Sequence, residues 1–177
     1  MPAPEAPTLD DTLDKMAAAL RALYRAEQTG PLAELRRLDV DQPVASTFHA
    51  LLANCVPDHA FAPTGGLDAM TLRFARVAQM MALKPDDLSR KPLGTVLHAL
   101  DYPQTRLAML LNARGATLDD LVRRAARRIA LSDEPLPYRE LATLILHAVR
   151  PDRFDALRLK IARDYQRAGR ARSNSAD

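Results

Sequence analysis

The 177-residue chain predicts an all-α protein, and three observations carry that prediction. Apolar residues recur at three- and four-residue spacing along most of its length. No stretch alternates apolar and polar residues in the two-residue rhythm of a strand. Thirteen prolines punctuate an Ala-, Leu- and Arg-rich body at positions where helices start or stop. The expected architecture is bundle-like, with eight to nine helices in two small subdomains. These are an N-terminal one over 1–83 and a basic C-terminal one over 92–177, joined by the polar, Pro-bracketed connector 84–91. A chain of this length can bury a substantial core.

In the first half, Thr8 and Asp11 form a capping box with a shorter acid than usual. They stand ahead of Leu13, Met16, Leu20 and Leu23, and the predicted helix runs from Leu9 to Gln28. Gly30-Pro31 ends it and starts a second, Leu32 to Leu38, that includes Arg36-Arg37. A third is expected from Pro43 to Cys55, with Asp41 or Gln42 as cap, Pro43 at the first helical position, and Phe48, Leu51 and Leu52 facing inward. Val56 to Gly66 carries Pro57, Pro63 and Gly65-Gly66 and reads as a loop. A fourth helix, Leu67 to Leu83, sets Leu67, Met70, Phe74, Val77 and Met81 on one seam, flanked by Arg73 and Arg76.

The second half is a run of helices, most of them opened by proline. Leu93 to Leu100 is short, and Pro103 to Ala113 follows an Asp101 cap and carries Arg106. Pro137 opens a helix to about Val149 that buries Leu141, Leu144 and Ile145. Pro151 opens the last, with Phe154, Leu157, Ile161 and Tyr165 inward and Arg153, Lys160, Arg163 and Arg167 on an outer arc. The tail Gly169 to Asp177 lacks apolar periodicity and is expected to be mobile.

Between these lies the stretch that organises the basic half. With Thr117 as the expected N-cap, Leu118, Leu121, Val122, Ala125, Ala126 and Ile129 share one helical arc. Arg123, Arg124, Arg127 and Arg128 fill the opposite arc. The pairs 123/127 and 124/128 place like charges at i,i+4, which costs a few tenths of a kcal/mol per pair, roughly. A polyanion lying along the ridge would relieve that repulsion; the alternative is a solvated helix face.

Charge is uneven. Residues 1–100 hold ten basic against twelve acidic residues and residues 101–177 hold fifteen against ten, within a net charge of +3. That asymmetry points to an anionic partner. Most of the basic residues are arginine, whose planar fork makes paired hydrogen bonds to phosphate. Aromatic residues are few, so contact is expected with the sugar-phosphate backbone rather than with stacked bases.

Chemistry-bearing constellations are missing. His49, His59, His98 and His147 form no ligand-spaced pair, and Cys55 near His59 has no orienting partner and reads as a core cysteine. The Asp pairs 10/11 and 119/120 fall in first turns, where acids belong for dipole reasons. No catalytic residues, metal or cofactor are expected, so the chain reads as a non-enzyme. One cysteine and no secretory or membrane-spanning segment fit a soluble cytoplasmic protein.

Five stretches, taken in order, carry a family resemblance. They are Gly30-Pro31-Leu32-Ala33-Glu34-Leu35-Arg36-Arg37; Pro92-Leu93-Gly94-Thr95-Val96-Leu97; Arg106 followed by Leu110-Leu111; Asp120-Leu121-Val122-Arg123-Arg124; and Ala162-Arg163-Asp164-Tyr165. Their order and spacing, from about residue 16 to 167, resemble the CasB-type small subunit of the type I-E CRISPR effector complex, Cascade. The family's usual aromatic before the penultimate helix, often Trp, is here Pro137-Tyr138. The resemblance implies a non-catalytic helical subunit present in two copies beside the backbone and large subunits of the complex. Its partners would be the guide RNA, the target DNA and the displaced strand, and it would stabilise the R-loop in antiviral defence. The family's basic contact positions correspond to Arg37, Arg106 and Arg124, with Arg36 and Arg123 beside them, and to Arg76. Charge and helical face add Arg114, Arg127, Arg128, Arg150 and Arg153. Two other readings stand against this one. One is a protein–protein adaptor with a solvated basic face, the other a stand-alone DNA-binding regulator. Salt dependence and sequence preference separate the three.

Overall fold

The computed structural model describes residues 8–57, 66–147 and 151–174. Among them the chain is all-α apart from one two-residue strand pair, and it divides into two compact units, Met1–Asp86 and Asp87–Asp177.

The first unit contains α1 (Leu9–Arg25), α2 (Thr29–Arg36), α3 (Ser46–Cys55) and α4 (Gly66–Met81). The capping box forms as expected: the Asp11 amide donates to Thr8 Oγ1 at 3.2 Å and the Thr8 amide to Asp11 Oδ2 at 2.9 Å. These bonds to Thr8 hold the Asp11 carboxyl below its ordinary range. The helix stops at Arg25, three residues before the expected end, because Glu27 turns into the left-handed region at φ 53°. Leu13, Met16, Ala17 and Leu20 from α1 form the core with Leu32 and Leu35, Phe48 and Leu51, and Phe74, Val77 and Met81. Each fully buried apolar side chain of this size contributes roughly 1.5–3 kcal/mol. Cys55 is a buried free thiol, which burial pushes up in pKa.

The starts of α2 and α3 also differ from the expected ones. Helix α2 already begins at Thr29, with Pro31 inside the first turn, where its missing N–H is not needed. Helix α3 starts at Ser46 rather than Pro43, and neither Asp41 nor Gln42 caps it. The cap arrives from α2: the Glu34 carboxylate accepts from the Ser46 amide at 3.1 Å, the Thr47 amide at 3.2 Å and the Thr47 hydroxyl. Those bonds, the Thr47 hydroxyl foremost, lower the Glu34 pKa. The expected loop from Val56 lies largely outside the described residues, as does His59.

The second unit holds α5 (Leu93–Ala99), α6 (Gln104–Asn112), α7 (Gly115–Ala130), α8 (Tyr138–Leu146) and α9 (Pro151–Asn174). Strands β1 (Leu88–Ser89) and β2 (Leu136–Pro137) pair in parallel, Leu88 opposite Leu136 and Ser89 opposite Pro137. This corrects the expectation of no strand, since two residues are too few to show alternation. Pro85 is buried in a 3₁₀ turn, Leu88 is buried in the strand, and Lys91 Nζ meets Glu134 at 2.6 Å.

The tightest packing is α5 on α9. A Cβ added at Gly94 would stand 2.6 Å from the Tyr165 amide nitrogen and would also strike the Ile161 carbonyl, so only glycine lets the two backbones approach. Glu140 of α8 joins the same corner: its Oε2 accepts from the Leu93 amide at 2.6 Å and its Oε1 from Lys160. Phe154, Ile161 and Tyr165 face inward as expected, and the Tyr165 hydroxyl donates to the Tyr102 carbonyl at 2.6 Å.

Four further boundaries are corrected. Helix α6 is entered from Pro103, while Asp101 occupies a left-handed turn position at φ 48°. Helix α7 starts at Gly115 with Arg114 as N-cap, so Thr117 lies inside the first turn. Helix α8 starts at Tyr138 because Leu136-Pro137 belongs to β2, and its C-cap is His147. The tail expected to be mobile from Gly169 is helical to Asn174. Gly169 lies against the His98 ring, and Arg172 Nη1 meets Asp101 Oδ1 at 2.8 Å.

Candidate nucleic-acid interface

Helix α7 lays out the basic ridge much as its periodicity predicts. Leu118, Val122, Ala125, Ala126 and Ile129 are buried, while Arg123, Arg124, Arg127 and Arg128 are exposed. Leu121, on the margin of the apolar arc, is only half-buried. The ridge then divides. Arg124 and Arg128, one turn apart, look toward α6, and with Arg106 they line an open groove of about 760 Å³.

The rest of the groove is mostly apolar: Leu100 and Tyr102 from the turn before α6, Met109 from α6, and Leu121 and Leu131 from α7 and its end, with Ser132 the polar exception. Met109 is 60% exposed and Leu131 90% exposed, so the groove presents two apolar side chains to solvent beside its arginines. Arg128 donates from Nη2 to the Leu100 carbonyl at 3.1 Å, and its guanidinium carbon lies 5.8 Å from the centre of the Tyr102 ring. That contact holds the guanidinium in place without neutralising it. Burial raises the Tyr102 pKa, and the positive charges of Arg106 and Arg128 partly offset the rise.

One carboxylate tempers the ridge from within. Asp120 bonds to Arg123 and, through Oδ2, to Arg124 at 2.7 Å. Those partners, Arg123 first, keep its pKa below the ordinary carboxylate range. Arg124 remains 71% exposed despite the pairing, and an exposed ion pair of this kind contributes little stability. Its guanidinium is therefore readily exchanged onto another anion.

The other expected positions fall elsewhere. Arg127 and Arg153 are exposed and make no ion pair among the described residues, but neither lines the groove. Arg114 lies over the Phe154 ring at 4.6 Å and reaches Asp155 at 3.4 Å, a position that ties α7's start to α9. Arg150 lies outside the described residues. In the first unit Arg36 donates from Nε to the Ala82 carbonyl at 2.7 Å, which fastens α2 to the end of α4. Arg76 pairs with Asp41 at 2.9 Å and is mostly covered. Arg37 is exposed, with its side chain unpaired among the described residues.

Sequence reasoning located the charges but missed the apolar walls. Met109 falls outside the α6 arc that contains Leu107 and Leu110, and Leu131 follows the last α7 core residue by two positions. Both offsets are visible in the sequence, yet a lone exposed apolar residue is common enough to carry no signal by itself. Among the described residues there is no His/Cys/Asp/Glu cluster suited to a metal ion, and no helix is long and apolar enough to cross a membrane.

Fold and groove define a class: a small all-helical protein that displays guanidiniums on rigid helices beside exposed apolar side chains. The chain belongs to the family of CRISPR-associated protein Cse2, which matches residues 31–165, and is thereby a small subunit of the type I-E effector complex Cascade. Comparison with curated proteins and with solved structures gave no match.

Proposed function

We propose that this subunit holds nucleic-acid backbone within Cascade and stabilises the R-loop, with the groove between α6 and α7 as its principal contact. The observation that carries the reading is the convergence of Arg106, Arg124 and Arg128 on one open groove, and membership of a Cascade subunit family supports it. Strand exchange during target capture is nearly balanced in free energy, so a few added phosphate contacts can tip it. Guanidiniums supply such contacts at any pH near neutrality and irrespective of sequence. Arg37, exposed in the first unit, offers a further contact of the same kind. The guide RNA, the target and displaced strands, the neighbouring subunits and a second copy of the chain are the partners in this reading, and the subunit itself does no bond chemistry.

The test is the salt dependence of binding to an unstructured single-stranded oligonucleotide. Replacing Arg106 and Arg124 by Gln should reduce the slope of log affinity against log salt by about 1.4, at about 0.7 per lost phosphate contact. A slope equal to the wild type's would overturn the groove assignment. Binding restricted to one sequence would favour a regulator instead.

A further inference from the structure

A second basic surface lies on α9, on the side of the helix away from its buried face. At about 100° per residue, Phe154, Ile161 and Tyr165 centre the buried arc, and Arg163, Arg167 and Arg170 fall almost directly opposite. These three stand at i, i+4 and i+7, a row about 10 Å long at 1.5 Å per residue. With Leu159, Ala162 and Gln166 they line a shallow depression of about 290 Å³, and Leu159 is 60% exposed.

Two facts separate this row from an ordinary solvated face. The first is charge balance. Arg163 and Arg170 make no ion pair among the described residues, and Arg167 reaches only Asp164, at 3.9 Å. Asp164 is already engaged by Lys160 at 3.0 Å, so the row keeps nearly all its charge. The helix dipole favours cations only in the last turn, which here holds Arg172 and leaves all three arginines of the row without that support. The second is rigidity. The family match ends at Tyr165, yet the helix continues to Asn174, held by Gly169 against the His98 ring and by Arg172 on Asp101. Arg167 and Arg170 therefore sit on an anchored extension rather than a fraying end.

We propose that Arg163, Arg167 and Arg170 form a second phosphodiester-binding strip, independent of the α6–α7 groove. The row is long enough for its three guanidiniums to reach successive phosphates along one strand. The small and polar residues between the arginines let a backbone lie close, and a continuous polyanion matches a continuous row of guanidiniums better than the scattered carboxylates of a protein surface. The inference rests on the nucleic-acid reading above and adds a second site to it.

The experiment uses the full chain and a fluorescently labelled oligo-dT, with anisotropy titrations at a series of NaCl concentrations. Arg163→Gln/Arg167→Gln/Arg170→Gln should lower the salt slope by about 2, the sum of three contacts at about 0.7 each. The matching triple Lys variant should keep the wild-type slope, because point charges suffice for phosphate. If the triple Gln variant loses helical circular dichroism, Arg163→Gln alone should still lower the slope by about 0.7. An unchanged slope in the strip variants alongside a reduced slope in the Arg106→Gln/Arg124→Gln protein overturns the strip and leaves the groove standing. No binding by the wild type, or equal slopes in all variants, overturns both. Unchanged slopes combined with failure to join the other Cascade subunits would assign the strip to an acidic protein surface and overturn the proposal.

Discussion

Asp120 sets how much of the α7 charge is available. Its carboxylate is shared by Arg123 and Arg124, and its lowered pKa keeps it ionised throughout the neutral range. Because the folded pKa lies below the unfolded value, whatever stability the pairing adds is present above the ordinary carboxylate range. It is lost as pH falls through the folded pKa. Any phosphate that reaches Arg124 competes with this internal anion. Asp120→Asn should therefore tighten binding to single-stranded nucleic acid and steepen its salt slope by up to about 0.7, as anisotropy titration would show. Weaker binding in that variant would mean that Asp120 positions the arginines rather than competing for them. Glu34 illustrates a different residue-scale lesson. An acid twelve positions before Ser46 does what a local cap residue normally does, and no window around α3 contains that information.

Among the elements, α5 and α9 depend on each other most. Gly94 was legible only as part of a Leu-Gly-Thr-Val motif; the structure gives its reason, a backbone approach that excludes any Cβ. Gly94→Ala should cost about 1–3 kcal/mol through overpacking, equivalent to a fall in Tm of roughly 2–4 °C for each kcal/mol in a protein of this size. Thermal unfolding followed by circular dichroism measures it, and an unchanged Tm would mean that α5 can move away from α9 without loss. The amphipathic period made α1, α7 and α9 readable, because each buries one continuous stripe. Starts and stops were harder to read where the deciding partner is distant. Pro43 resembled a helix start but α3 waits for Glu34, and Gly169 resembled a helix end but His98 and Arg172 hold the helix beyond it. The β1–β2 pair was invisible because each strand is two residues long.

For the molecule as a whole, the excess of basic residues after residue 100 falls in the second unit. Net charge, however, does not say which guanidiniums are free. Arg36 and Arg114 fasten helix to helix and Arg76 pairs with Asp41 of the loop between α2 and α3, whereas Arg37, Arg106 and Arg127 are exposed without ion pairs among the described residues. Composition counted these six alike, and only side-chain packing separates them. The groove was half legible: Arg124 and Arg128 stood in the sequence at i,i+4 on one helix, while Arg106, Met109 and Leu131 joined them only when α6 and α7 were brought together.

The most direct measurement is target binding by the assembled Cascade carrying Arg37→Glu and Arg124→Glu in this subunit, one exposed guanidinium reversed in each unit. Exposed substitutions change stability by only about half a kcal/mol, so the complex should assemble normally. R-loop formation on a fully matched target should weaken and become more sensitive to salt. Normal assembly with R-loop formation equal to the wild type's at every salt concentration would contradict it.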